Sequence, residues 1–492
     1  MARDVIRFLH RGEIVELSDV GPNETLLDYL RLRKSLRGTK EGCGEGDCGA
    51  CTVVLGSLRD GTLIYEPINA CIQLLGMIDG KELVVVEDLA EDGLHPVQQA
   101  MLDYHGSQCG FCTPGIVMSL FALYHSKEVA DRQAVNNYLA GNLCRCTGYR
   151  PIVDAGRAVC AGNADDQFAA RRTKTTAQLK ALDDDDDVII GDGAAFFAAP
   201  ATIDAFADLY ARNTDAVIVA GATDVGLWIT KQLRILPKMI HLGRVESLAD
   251  IQRREKFWHI GAGATFTQVE TALTAIDPDL GAVLRRIGSK QVRAAGTLGG
   301  NIANGSPVGD TLPALIALGA TLHLRQGKDV RTLPLEDFFI EYGKQDRWSG
   351  EFVTAVDVPA LSVGEVFRCY KLSKRFDQDI SAVLGAFRFE LREGYIKAAR
   401  IAFGGMAATP RRATGAEVAL VGLRLADKDH WPSAIDALAL DFQPIDDMRA
   451  TAVYRLQTAQ SLLLKALHEI GGTSSAEMRV FGLRPGEIPD AA

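Results

Sequence analysis

Eight cysteines crowd into the first third of this sequence, at a spacing that specifies metal chemistry. Cys43, Cys48 and Cys51 stand as C-x4-C-x2-C on a glycine-rich stretch, EGCGEGDCGAC, and Cys71 follows at a distance. That is the ligand spacing of a plant-type [2Fe–2S] cluster. A loop that wraps inorganic sulfide must turn sharply, and its glycines relax the backbone limits and bring N–H groups to the sulfurs. Zinc prefers paired short knuckles, whereas three of these ligands share one loop. A second set is Cys109 and Cys112 in QCGFCTPG with Cys144 and Cys146 in GNLCRCTGY. Two such pairs at helix starts can converge on one site. Taken alone they would suit zinc or a cluster, and beside the first loop they read as a second [2Fe–2S] site. Cys160 and Cys369 read as ordinary thiols.

Two glycine-rich segments could do a different chemistry. Gly221-Ala-Thr-Asp-Val-Gly226 follows an apolar strand-like run, DAVIVA, so its N–H groups could cradle a diphosphate or merely turn the chain. Gly296-Thr297-Leu-Gly-Gly300-Asn301 and Ser306–Asp310 lie further on, without a G-x-G-x-x-G fingerprint. Lys371, Lys374 and Arg375 form a basic cluster in YKLSKRFDQDIS.

These residues need several elements to position them, and 492 residues are too many for one core. Residues 1–90 alternate and turn like a small α+β unit, and residues 91–160 change to a helical period. Residues 161–190 read as a linker, with Asp183–Asp187 as a solvated acidic run. Short strands, helices and glycine turns fill 191–365. Strands then helices in 366–485 predict a separate C-terminal α+β domain. A net charge of −10 argues against a nucleic-acid partner. No apolar run reaches membrane-spanning length, and the N-terminal stretch does not read as a signal peptide. The expectation is a cytoplasmic protein, where crowded cysteines serve as metal ligands rather than disulfides.

Both cysteine sets, in this order and wording, resemble the iron–sulfur domains of the molybdenum hydroxylases, the xanthine dehydrogenase and aldehyde oxidoreductase family. The resemblance implies a multidomain α+β fold: a ferredoxin-like β-grasp domain, a four-helix [2Fe–2S] domain, a vanillyl-alcohol-oxidase-like FAD domain and the C-terminal α+β domain. It implies FAD contacts from Ala220, Gly221, Ala222, Thr223, Asp224, Val225, Gly226, Thr297, Gly300, Asn301 and Asp310, and places Lys371 near the flavin. It sets Gln108 against the pterin of a molybdenum cofactor on another domain. Ile287 stands where mammalian relatives carry an aromatic residue and Gln378 where they carry an acid.

The whole arrangement is similar to the small iron–sulfur/FAD subunits of bacterial xanthine dehydrogenases. It implies a molybdenum-binding large subunit that oxidises substrate, in a dimer of heterodimers. Electrons would pass through the second cysteine set, then the first, then FAD, to NAD⁺ as co-substrate. A related enzyme acting on aldehydes or other N-heterocycles, a stand-alone flavin oxidase and a zinc-stapled interaction protein are the competing readings.

Overall fold

Alternating apolar residues make Ile6–His10 (β1) and Glu13–Leu17 (β2) an antiparallel hairpin, with Arg11 and Gly12 at positive φ in its two-residue turn. Ile6 and Phe8 point into the core and are fully buried. Strands Thr52–Arg59 (β3), Thr62–Asn69 (β4) and Glu82–Val84 (β5) complete a mixed sheet of order β2-β1-β5-β3-β4, in which β1 and β5 run parallel. Helix Leu26–Asp28 (α1), capped by Thr25, continues as a wider turn through Arg33 and buries Leu26, Leu27, Tyr29 and Leu30. This computed structural model describes residues 2–479. It forms two units, one running to Ser247 and including Gly288–Gly296, the other made of Leu248–Ile287 and the chain from Thr297 onward.

In the first unit, four helices follow the sheet: Pro96–Asp103 (α2), Thr113–Tyr124 (α3), Arg132–Leu139 (α4) and Arg150–Val159 (α5). Ten of the twelve residues of α3 are buried, which makes it the central helix. Pro96, Pro114 and Pro151 stand in the first turns of α2, α3 and α5, where a missing N–H costs nothing.

The stretch read as a solvated linker is folded instead. Gln167–Ala170 (α6) and Arg172–Leu182 (α7) bury Phe168, Leu179 and Leu182 against the helical core. Asp166 accepts hydrogen bonds from His95 (2.6 Å) and His125 (2.8 Å), and all three side chains are buried. Within the acidic run, Asp184 pairs with Arg3, Arg7 and Arg244, and Asp79 joins the same network through Arg3 and Arg244. The sequence shows a run of like charge; the cations that neutralise it are distant in the chain.

Beyond it, Val188–Gly191 (β6), Phe196–Ala199 (β7), helix Ile203–Arg212 (α8), Val217–Val219 (β8), helix Val225–Thr230 (α9) and Lys238–His241 (β9) build a sheet of order β6-β7-β9-β8. Its Phe197, Val219 and Met239 share one core with Phe8 of the first sheet and with Ile72 and Leu75 of the segment joining β4 to β5. A Cβ on Gly76 would sit 2.4 Å from the Phe197 ring, so the turn between β4 and β5 lies against β7 at van der Waals contact.

The second unit holds a five-stranded sheet whose central strand, Glu351–Pro359, pairs with Phe257–Gly261 and Thr321–Gln326. A four-stranded antiparallel sheet led by Glu365–Leu372, Val383–Arg392 and Tyr395–Gly404 carries helices Thr414–Leu420, Trp431–Asp441 and Ala452–Ile470. Phe367, Cys369 and Leu384 of that sheet lie in one core with Leu298, Leu315 and Val356, so the segments on either side of residue 365 pack on each other. The end of the expected last domain lies outside the described residues. Arg479 makes two hydrogen bonds to the fully buried Asp279, at 2.9 and 3.0 Å, and pairs with Glu469. Among the described residues no helix is long and apolar enough to cross a membrane.

Candidate metal centres and flavin segments

The first cysteine loop runs between α1 and β3 and turns through Gly44, Gly46 and Gly49, all at positive φ. The Cys43 sulfur accepts the N–H groups of Glu45, Asp47 and Cys48, each at 3.4 Å, and the Cys48 sulfur accepts that of Cys43 at 3.3 Å. Thiols of Cys48 and Cys71 both reach Cys43, and Cys71 also reaches Cys51, so the four sulfurs converge. Those two thiols and the backbone donors hold the Cys43 sulfur far below the ordinary thiol range. A Cβ on Gly42 would lie 2.7 Å from the Cys48 sulfur, so glycine keeps the sulfur cradle open.

The second set is assembled by helix starts. Cys112 precedes α3, and Cys144 and Cys146 precede α5. Cys112 meets Cys144, and Cys109 meets Cys146. Burial and the Cys144 thiol push Cys112 up to about 12. Burial alone would raise Cys144, but the Thr147 hydroxyl at 3.2 Å and nearby N–H groups bring it below the ordinary thiol value. Tyr149, at φ +67°, accepts the Cys144 N–H on its hydroxyl at 2.8 Å. None of the ten cysteines is joined in a disulfide, and Cys160 and Cys369 are buried apart from both sets.

The two sets differ in depth. Cys51 and Cys71 are buried, whereas Cys109 and Cys146 are exposed beside exposed Gln108, Phe111 and Leu143. They are also tied together: the Leu143 N–H donates to the Cys48 carbonyl at 2.9 Å, and the Asn142 amide donates to the Gly49 carbonyl at 3.1 Å. Four convergent sulfurs with backbone donors aimed at them fit a [2Fe–2S] cluster in the first loop, and two facing cysteine pairs fit one in the second.

In the same unit, the turn Ala220–Gly226 joins β8 to α9. Ala222 takes φ +56°, and a Cβ on Gly221 would lie 1.8 Å from the Ala295 carbonyl, so the turn is held close against the Lys290–Ala295 helix. A Cβ on Gly226 would lie 2.8 Å from Ile72, the residue after Cys71. Lys231 at the end of α9 donates to the Cys43 carbonyl at 2.7 Å and pairs with Glu45 at 3.2 Å. The glycine turn therefore packs on the first cysteine loop.

In the second unit, Thr297 caps the helix Leu298–Asn304, its hydroxyl accepting the Gly300 N–H at 2.9 Å. A Cβ on Gly299 would lie 2.4 Å from Ala262, so glycine lets this helix start lie against the backbone there. Asn301 accepts from the Thr311 hydroxyl. Lys371 and Asp310 are paired at 2.6 Å and buried, Lys371 also donating to the Arg286 carbonyl and Ser381 to Asp310. Lys374 and Arg375 lie apart from this pair on an exposed loop, Lys374 donating to the Met448 carbonyl. Gln378 sits on that loop at φ +49°, and Ile287 packs at the edge of the unit's core. Sequence reading missed Leu143, Asn142, Tyr149 and Lys231. The first three lie inside or beside the cysteine wording; Lys231 carried no local signal.

Four known sequence families match the chain in order. They are a 2Fe–2S iron–sulfur cluster binding domain over 11–72, a [2Fe–2S] binding domain over 85–157, the FAD binding domain in molybdopterin dehydrogenase over 193–361, and the CO dehydrogenase flavoprotein C-terminal domain over 368–470. These define an iron–sulfur flavoprotein. The chain belongs to the molybdenum hydroxylase family, of which it carries the two [2Fe–2S] domains and the FAD-binding domain. Xanthine dehydrogenase of Emericella nidulans is 31% identical to it across 95% of this chain, which spans 39% of that protein. Reconstituted CO dehydrogenase from Oligotropha carboxidovorans superposes with a TM-score of 0.54 at 25% identity, covering 58% of this chain and 100% of that one. Quinoline 2-oxidoreductase from Pseudomonas putida 86 gives 0.50 at 25% identity, over 56% of this chain and 96% of that one.

Proposed function

We propose that this chain is the electron-transfer subunit of a xanthine dehydrogenase, working beside a molybdenum-binding large subunit and delivering electrons to NAD⁺. One observation carries the order of transfer. Within one unit the first cysteine loop touches the exposed second set on one side, through Leu143 and Cys48, and the glycine turn on the other, through Ile72 and Lys231. Bound clusters pass single electrons, and bound FAD exchanges them for the two-electron chemistry of nicotinamide.

The residues of this chain do the holding. Cys43, Cys48, Cys51 and Cys71 would ligate the inner cluster and Cys109, Cys112, Cys144 and Cys146 the outer one. Backbone donors to the Cys43 and Cys48 sulfurs would raise the potential of the inner cluster by stabilising its reduced charge. Ala220–Gly226, Thr297, Gly300, Asn301, Asp310 and Lys371 are proposed as FAD-binding. Gln108, exposed beside Cys109, would meet the pterin on the large subunit, and the assembly would be a cytoplasmic dimer of heterodimers.

Similarity to quinoline 2-oxidoreductase at the same level as to CO dehydrogenase supports a second reading, in which the substrate is another N-heterocycle. Steady-state assay of the purified complex with xanthine and NAD⁺, with and without the partner chain, tests the proposal. NADH formation only with both chains is the expected result. Turnover of quinoline-type heterocycles but not xanthine would favour the second reading, and turnover by this chain alone would overturn both.

A further inference from the structure

The helix Lys290–Ala295 belongs to the segment matched by the FAD-binding domain, yet its side chains are spent between the two iron–sulfur domains. Gln291 is 1% exposed. Its amide nitrogen lies 3.1 Å from the Thr52 hydroxyl, 3.1 Å from the Ser119 hydroxyl and 3.0 Å from the Asn142 side-chain carbonyl. Thr52 follows the ligand Cys51, and Asn142 stands two residues before the ligand Cys144. Ser119 lies on α3, the helix that Cys112 begins. One side chain thus reaches three segments that each carry cluster cysteines.

The acceptors form a closed network of their own. Ser119 donates to Asn142 at 2.6 Å, Thr52 donates to the Gly49 carbonyl at 2.7 Å, and Asn142 donates to that same carbonyl. Gln291 enters at its centre. The approach requires Gly141, because a Cβ there would lie 2.2 Å from the Gln291 side-chain oxygen and 2.5 Å from the Ser289 side chain. Lys290 fixes the helix from its flank, pairing with Glu128 at 3.4 Å and lying over the Tyr138 ring of α4. Ser289 caps the helix start.

We infer that Gln291 is a positioning residue for electron transfer between the two clusters, fixing the separation of the two cysteine sets by joining Thr52, Ser119 and Asn142. The inference rests on the electron-transfer reading and adds to it that a residue of the flavin-binding segment sets the geometry inside the iron–sulfur part. The network is buried and polar, so an apolar side chain of equal length leaves its oxygens without the donor that holds them in register. Transfer between clusters and the magnetic interaction of two reduced clusters both depend on their separation, whereas iron content and each cluster's own spectrum do not.

The test uses the full chain in its complex, reduced anaerobically. Two variants, Gln291→Met and Thr52→Val, are compared with wild type by low-temperature EPR and by the rate at which electrons cross between the clusters. Gln291→Met is expected to keep both cluster signals and full flavin, to lose or broaden the splitting that marks cluster–cluster interaction, and to slow the crossing. Thr52→Val removes one acceptor of Gln291, and with it the hydroxyl's bond to the Gly49 carbonyl, at constant shape; it should show a smaller change in the same direction, which keeps the question decidable if the first variant does not fold. Unchanged splitting and rate in the folded variants would overturn the inference alone. A wild-type protein lacking either cluster signal would overturn the electron-transfer reading and this inference with it.

Discussion

The backbone N–H of Leu143 donates to the carbonyl of Cys48 at 2.9 Å, so the chain beside Cys144 of one set is hydrogen-bonded directly to a cysteine of the other. Two glycine positions beside this contact have no room for a Cβ. Gly49 takes φ +69°, and a Cβ there would lie 2.1 Å from the Gly141 carbonyl. Gly115 on α3 is as confined, its Cβ position falling 2.0 Å from the Gly49 carbonyl. Gly49 and Gly115 therefore let the two domains approach closely enough for that hydrogen bond to form.

Gly49→Ala should break that tie. An alanine forced to positive φ and into a filled space should cost at least about 2 kcal/mol. Thermal unfolding and iron analysis of the purified protein check it: a lower midpoint together with sub-stoichiometric iron is expected, while the flavin absorbance remains.

Acid should unfold the helical part through His125 and Asp166. Burial lowers His125, so below about pH 6.5 the unfolded chain binds a proton there more readily than the fold does, and stability declines from there as pH falls. Burial alone would raise Asp166, but hydrogen bonds from His125 and His95 outweigh it and hold the carboxyl well below its usual range. Its contribution is present above about pH 3.9 and is lost as pH falls further. Asp166→Ala removes the acceptor between two buried histidines and should cost about 3 kcal/mol at neutral pH. Denaturant melts at pH 3, pH 5 and pH 8 for both proteins check these effects.

What was legible in the sequence follows from distance along the chain. Cys43, Cys48 and Cys51 declare themselves because ligands on one loop need a fixed local spacing, and the glycine turn at Gly221 follows its strand directly. Asp166 did not declare itself, since its histidines lie 71 and 41 residues earlier. Asp184 looked solvated for the same reason, its arginines standing at positions 3, 7 and 244. Gln291 is separated from its three acceptors by 149 to 239 residues, and no pattern within one helix announces such a role. The expected linker failed because a charge run records what is near in sequence, not what neutralises it in space.

Arg479 should act as a clasp on the second unit. Arg479→Ala leaves Asp279 buried without its double hydrogen bond and should cost about 3 kcal/mol, read as a lowered unfolding midpoint with both cluster spectra unchanged.

Lys371→Met should uncouple flavin from the rest. The variant leaves Asp310 with the Ser381 hydroxyl but without its buried cation. Loss of FAD on gel filtration is expected, with iron content retained; full flavin retention and an unaltered flavin spectrum would remove Lys371 and Asp310 from the FAD site.

On the proposed electron route the Cys43, Cys48, Cys51 and Cys71 set would lie between the flavin and the Cys109, Cys112, Cys144 and Cys146 set. Rapid-freeze EPR after anaerobic photoreduction of the bound flavin tests it most directly, with signals assigned through Cys43→Ser and Cys109→Ser variants. The signal lost in Cys43→Ser should rise first in wild type, and Cys43→Ser should leave the outer cluster oxidised on that time scale. Prompt reduction of the outer cluster in the Cys43→Ser protein would contradict it.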